Sequence, residues 1–138
     1  MSEGQTAPVF FSGTYEEAFD LLVETRDYIE REWPLLAAKQ GYAARLAANG
    51  EAMRLTTRLI QVMAWLMVQK AIHAGELTRE EADDDAYRMS GGTVCLDWKS
   101  ARALPLPVEF RSLMDRSYDL YCRIRRLDRR AAAAGAAI

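Results

Sequence analysis

One histidine, two cysteines and four prolines occur in 138 residues, and each scarcity excludes something. With His73 alone, the sequence offers no ligand set for a structural zinc ion. Cys95 and Cys122 can form one pair at most, and they read as free thiols of a cytoplasmic protein. The most apolar run, Leu59 to Val68, is interrupted by Gln61 and has half the roughly 20 residues a membrane span needs. Met1 to Pro8 lack the basic-then-apolar order of a secretory leader. Charge of one sign is also missing: 18 basic residues against 20 acidic ones give a net −2, so no global field draws the chain to nucleic acid or anionic lipid. Eight glycines are too few for a linker-rich chain, and a hydrophobic content of 50% argues against disorder. A chain of this length is expected to form one domain.

What is present is helical periodicity. Residues 1–13 read as a flexible N-terminal arm. Thr14 and Glu17 have the spacing of a capping box, which predicts a helix starting there. Tyr15, Phe19, Leu22, Ile29 and Trp33 then form its apolar face, and Pro34 kinks or ends it. Residues 35–49 are Ala-rich but contain Gly41 and Asn49-Gly50, and helix is favoured over loop. Glu51 to Ala74, free of Pro and Gly, is the strongest element. Leu55, Leu59, Val62 and Leu66 make one stripe, and Thr56, Ile60, Met63 and Met67 the adjacent one. Gly75 supplies a left-handed cap.

Thr78 and Glu81 repeat the capping-box pattern, which predicts a short helix over Arg79–Met89. Ser90 to Pro107 reads as the longest irregular connection. Pro107 suits the first position of a last helix, whose face is Phe110, Leu113, Ser117, Leu120, Ile124 and Leu127, widened by Met114 and Tyr121. Residues 131–138 read as a flexible tail. No strand alternation appears, so the expected fold is all-α: a three-helix bundle of long antiparallel helices with one short extra helix, over residues 14–130.

Catalytic signatures are sparse. His73 suits the negative end of its helix, and a nucleophilic pair with Cys95 has little in its favour. The acids between Glu80 and Asp85 lack the spaced ligands and turn glycine of a calcium loop. No phosphate loop or nucleophile elbow is present. The sequence shows no polar residues at interior positions that would line a reaction pocket. It reads as a non-enzyme without a cofactor.

Two surface features are more informative. Arg54, Arg58, Gln61, Trp65 and Gln69 recur as a polar stripe on the central helix. Trp65 either packs sideways onto the short helix or the 90–107 connection, or stands as an aromatic anchor flanked by arginines, a composition common at interfaces. Charge is segregated as well. Glu76 to Arg88 carries six acids and two arginines, whereas Arg123 to Arg130 carries five arginines and one aspartate. The arginines, Arg126 and Arg130 among them, complement a helix end, meet an acidic protein or touch phosphates.

The run from Glu51 to Ala71, with Met53-Arg-Leu-Thr-Thr-Arg-Leu59 at its core followed by Gln61 and Trp65, resembles the hallmark helix of the RcdA family, regulators of CtrA degradation in alphaproteobacteria. The resemblance is sharp over about twenty residues and extends in pattern over most of the chain. It implies a helical-bundle adaptor, without catalysis, that links substrates and regulators to the ClpXP protease during the cell cycle. It also implies a cytoplasmic location, self-association as a homodimer and response-regulator-like partners. The positions that match the motif are Arg54, Thr57, Arg58, Gln61 and Trp65. Family adaptors can carry a longer C-terminal tail for cargo delivery, and only Ala131 to Ile138 follow the last helix here. The alternative function is a transcriptional regulator that binds nucleic acid through the arginine-rich helix.

Overall fold

The computed structural model describes residues 3–136, with side chains from Ser12 to Ala133. In chain order the helices are α1 (Glu3–Arg31), α2 (Trp33–Lys39), α3 (Tyr42–His73), α4 (Arg79–Ala82), α5 (Gly92–Cys95), α6 (Lys99–Arg102) and α7 (Val108–Ala136), with a 3₁₀ turn at Asp85–Tyr87. No strand occurs among the described residues, and the all-α expectation holds. The short helices among the described residues, however, number four rather than one.

Helix α1 begins at Glu3 rather than Thr14, so Thr14 sits inside it and does not mark its start. Glu17, expected to complete that cap, instead accepts two 2.7 Å hydrogen bonds from Arg123. Its buried face is also turned from the expected one. Ala18, Leu21, Thr25 and Tyr28, spaced three, four and three apart, face the core, while Phe19 is 47% exposed. Tyr15 and Leu22 of the expected face still pack on the edge of that core, partly buried, so the buried face is shifted around the helix rather than replaced. Trp33 and Pro34 then open α2, as the proline predicts.

Helix α3 starts nine residues before the expected Glu51 and runs through Asn49-Gly50. A tertiary contact helps hold that pair: the Trp33 indole donates to Asn49 Oδ1 at 3.2 Å, and the Trp33 ring packs on Phe110 at 5.2 Å. At the other end Gly75 adopts φ +76°, the left-handed geometry expected of it. The Thr78–Glu81 capping box forms as expected, but α4 ends at Ala82, well short of Met89. Helix α7 reproduces its sequence face: Phe110, Leu113, Met114, Ser117, Leu120, Tyr121 and Ile124 are buried, and Leu127 is partly buried against the core. It continues through the alanines to Ala136, consistent with their high helix propensity.

The directions of the long helices correct the antiparallel expectation. Trp33 meets Asn49 and the Lys70 ammonium lies over the Tyr15 ring, so α1 is antiparallel to α3. Glu24 pairs with Arg116 and Glu17 with Arg123, so α1 is antiparallel to α7 as well. Arg58 reaches Ser117 and Trp65 reaches Asp128, which makes α3 and α7 parallel. A parallel pair needs a connection that travels back along the bundle, and residues 74–107 provide it. Leu55, Leu59, Val62 and Leu66 of α3 fill the centre.

Candidate functional site

The return connection brings irregular backbone against the core, where each carbonyl and amide needs a partner. The polar stripe of α3 supplies several of them. Arg58 is 1% exposed and donates to the carbonyls of Cys95 (2.8 Å), Asp97 (2.9 Å) and Met114 (3.1 Å) and to Ser117 Oγ (3.2 Å). Its guanidinium also lies 5.2 Å from the centre of the Tyr118 ring. Burial weakens its hold on the proton, but a guanidinium starts so high that it remains charged. Its acceptors are three carbonyls and a hydroxyl, so this cation ties backbone together rather than pairing with a carboxylate.

One turn earlier Arg54 repeats the pattern at the edge of the core. It donates to Val94 O at 2.6 Å and pairs with Glu51 at 3.2 Å and Asp97 at 3.4 Å. Ser100 donates to Asp97 Oδ2, which with Arg54 holds the Asp97 carboxyl below its ordinary range. Thr57 bonds back to Met53 O at 2.8 Å, and its methyl lies 3.8 Å from where a side chain on Gly91 would begin. Gln61 accepts from the Ser90 amide at 3.0 Å, while Tyr121 donates to the Ser90 carbonyl at 2.9 Å. Burial, with the neighbouring Cys95, pushes the Tyr121 phenol up to about 12, so it stays a donor.

Trp65 completes the series. It is 4% exposed and donates from Nε1 to Asp128 Oδ1 at 3.1 Å. Asp128 in turn receives Arg88 Nε at 3.1 Å and the Met89 amide at 3.4 Å. The aromatic-anchor alternative is thereby corrected. Trp65 is an interior residue whose polar edge, through Asp128, helps hold the middle of the return connection at Arg88 and Met89. The expectation that no polar residue occupies the interior is corrected too, because Thr25, Glu51, Arg58, Gln69, Ser117 and Asp128 are all buried.

Arg54, Thr57, Arg58, Gln61 and Trp65 therefore come together as one clamp on residues 88–97, directed into the chain rather than out of it. Arg126 and Arg130 lie elsewhere, exposed near the end of α7. Sequence reasoning missed the clamp's second half: Arg88, Ser90, Asp97, Tyr121 and Asp128. Asp128 did carry a signal, as the only acid among the arginines of Arg123–Arg130. The backbone acceptors carried none, since a carbonyl has no residue type.

Cys95 and Cys122 are both free thiols, and burial raises the Cys95 pKa, which leaves it a poor nucleophile at neutral pH. Among the described residues no group of His, Cys, Asp and Glu is placed to hold a metal ion, and no helix is long and apolar enough to cross a membrane. Along the outer side of α3, Tyr42, Leu46, Met53, Ile60 and Met67 recur at four and then seven residues and are 58–76% exposed. Trp98 is also partly exposed, with Lys99 and Arg102 at 5.7 and 5.5 Å from its ring centre.

Residues 2–138 match the model of a family described as a protein of unknown function, DUF1465. No curated protein matches the sequence. Among solved structures, the chain is similar to RcdA from Caulobacter crescentus CB15, at 36% identity and a TM-score of 0.72, covering 89% of this chain and 91% of that one.

Proposed function

We propose that this chain, which belongs to the RcdA family, is a non-catalytic adaptor that links substrates or regulatory proteins to the ClpXP protease in cell-cycle-regulated proteolysis. The observation that carries this reading is the likeness to RcdA, which at 36% identity extends over nearly the whole of both chains. The disposition of the side chains supports it. Arginines and a tryptophan that would suit a reactive or docking site are engaged in holding the return connection. Five exposed apolar side chains, Tyr42, Leu46, Met53, Ile60 and Met67, are instead aligned along α3, as a protein-binding face requires.

In this reading Arg54, Thr57, Arg58, Gln61 and Trp65 act on partners indirectly, by fixing the 88–97 segment. Arg126 and Arg130 stand at the rim and steer acidic partners. The protein works in the cytoplasm as a homodimer whose contact includes the exposed α3 stripe, a self-complementary surface that a two-fold axis would bury. The test is reconstitution with purified ClpX, ClpP and a response-regulator-like cargo. Addition of the protein should accelerate cargo loss at least several-fold, and both protease subunits should co-purify with it from a native lysate. No acceleration together with salt-sensitive retention on DNA would replace the adaptor by the nucleic-acid-binding alternative.

A further inference from the structure

Near the meeting of the α1 C-terminal half with the start of α7, a groove of about 360 Å³ is bordered by Asp20, Glu24, Asp27, Glu32 and Glu109, with Arg31 as its one basic lining residue. Glu24 and Asp27 are already paired, with Arg116 and Arg26. Asp20, Glu32 and Glu109 have no ion pair among the described residues. Acidity alone would mean only a hydrated surface, but Tyr28 adds something different. Its ring is packed edge-on against Phe110 in the core, 5.8 Å between centres, and the residue is 4% exposed. The residue lines the groove, and its hydroxyl is buried and has no hydrogen-bond partner. A desolvated hydroxyl without a partner is unusual and unfavourable. Burial, then the charges of Glu109 and Glu32, keep this phenol protonated, which places its oxygen in the field of those carboxylates.

The missing occupant is thus a group rich in N–H donors, positively charged and small enough for the groove. We propose that this groove binds an arginine side chain on an extended segment of a partner protein, with the guanidinium donating to Glu32, Glu109 and the Tyr28 oxygen. Arginine fits better than lysine because its planar fork can serve several acceptors at once. The proposal deepens the adaptor reading by giving one docking surface its chemistry, and it rests on that reading for the partner's being a protein. The groove's own recognition is tested on the isolated chain, so it can fail while the protease role stands.

The probe is the pentapeptide acetyl-Gly-Arg-Gly-Arg-Gly-amide, titrated against the full chain at moderate salt, with the lysine analogue and spermidine as comparison arms. Saturable binding of the arginine peptide is expected, at least threefold tighter than the lysine peptide. Glu32→Gln with Glu109→Gln should weaken it tenfold or more. Tyr28→Phe should weaken it at least threefold without lowering the thermal midpoint, because the ring that packs on Phe110 is retained. Asp83→Asn with Asp84→Asn removes the same charge from the distant acidic segment and should leave binding unchanged. The proposal is overturned if the peptide does not saturate, if both charge variants weaken it equally, if Tyr28→Phe leaves it unaltered, or if spermidine binds as tightly as the arginine peptide.

Discussion

At the scale of single residues, Arg58 shows how a motif can be recognised without its role being visible. It sits beside apolar neighbours on a helix with the periodicity of a surface stripe, yet it is 1% exposed and serves four acceptors. Replacing it with leucine should cost roughly 3–5 kcal/mol in chemical denaturation, because the Cys95 and Asp97 carbonyls each lose a buried donor. A loss below about 1 kcal/mol would mean that water replaces the guanidinium. Trp65 separates packing from hydrogen bonding. Trp65→Ala should cost about 3–5 kcal/mol through the cavity it leaves. Trp65→Phe keeps most of the ring, so its smaller loss, about 1.5–3 kcal/mol, reads the bond to Asp128. Equal losses in the two variants would show that the hydrogen bond rather than the ring dominates.

At the scale of elements, two left-handed glycines punctuate the chain, one at the start of the return connection and one inside the clamped stretch. Gly75 closes α3 at φ +76° and Gly91 opens α5 at φ +72°. An alanine at Gly75 has open space around its Cβ, so its cost should be backbone strain alone, about 1–2 kcal/mol. At Gly91 an added Cβ would meet Cys95 Sγ at 3.5 Å and the Thr57 methyl at 3.8 Å, which is ordinary packing contact, so Gly91→Ala should carry the same backbone strain and melt close to Gly75→Ala. A markedly lower melting point for Gly91→Ala would mean that the Cys95 and Thr57 side chains cannot accept the methyl. The outer stripe of α3 makes a separate prediction. Met53→Glu with Ile60→Glu alters exposed positions only, so the thermal midpoint of the folded chain should move little. Light scattering at micromolar concentration should change from a dimer mass to a monomer mass. A monomer before mutation would remove the dimer.

For the whole molecule, pH acts from both sides. The Glu17 and Glu24 carboxyls are held below their ordinary 4.5 by hydrogen bonds from Arg123 and Arg116, and Asp97 is lowered chiefly by Ser100. Folding therefore gains stability from these groups above the ordinary carboxylate range and loses it as pH falls through their lower folded values. Both glutamate pairs are half exposed, so each contributes about 0.2–1 kcal/mol. Tyr121 works in the opposite direction: its stabilisation is present below 10.0 and is lost as pH climbs towards about 12. The midpoint of urea unfolding should decline below pH 4.5 and again above 10, and Glu17→Gln with Glu24→Gln should flatten only the acid limb. Arg126→Glu with Arg130→Glu should leave stability within about 0.5 kcal/mol, as exposed charges do. The same variant should slow encounter with an acidic protein partner without changing DNA retention.

Helix content, the α7 face, the central stripe of α3, the Thr78 cap and the Gly75 stop were legible in the sequence because each depends on residues within a few positions of one another. Periodicity and capping are local properties of side-chain type and spacing. The resemblance to the RcdA family was likewise carried by one contiguous helix. The parallel course of α3 and α7, the turned face of α1 and the inward use of Arg54, Arg58 and Trp65 belong to the tertiary structure alone. A polar stripe is the same in sequence whether it meets water or a neighbouring backbone, and its acceptors here are mostly main-chain carbonyls some forty to sixty residues away. Only the path of the return connection and the course of α7 bring those carbonyls to α3, where a buried carbonyl must find a donor and the stripe provides it.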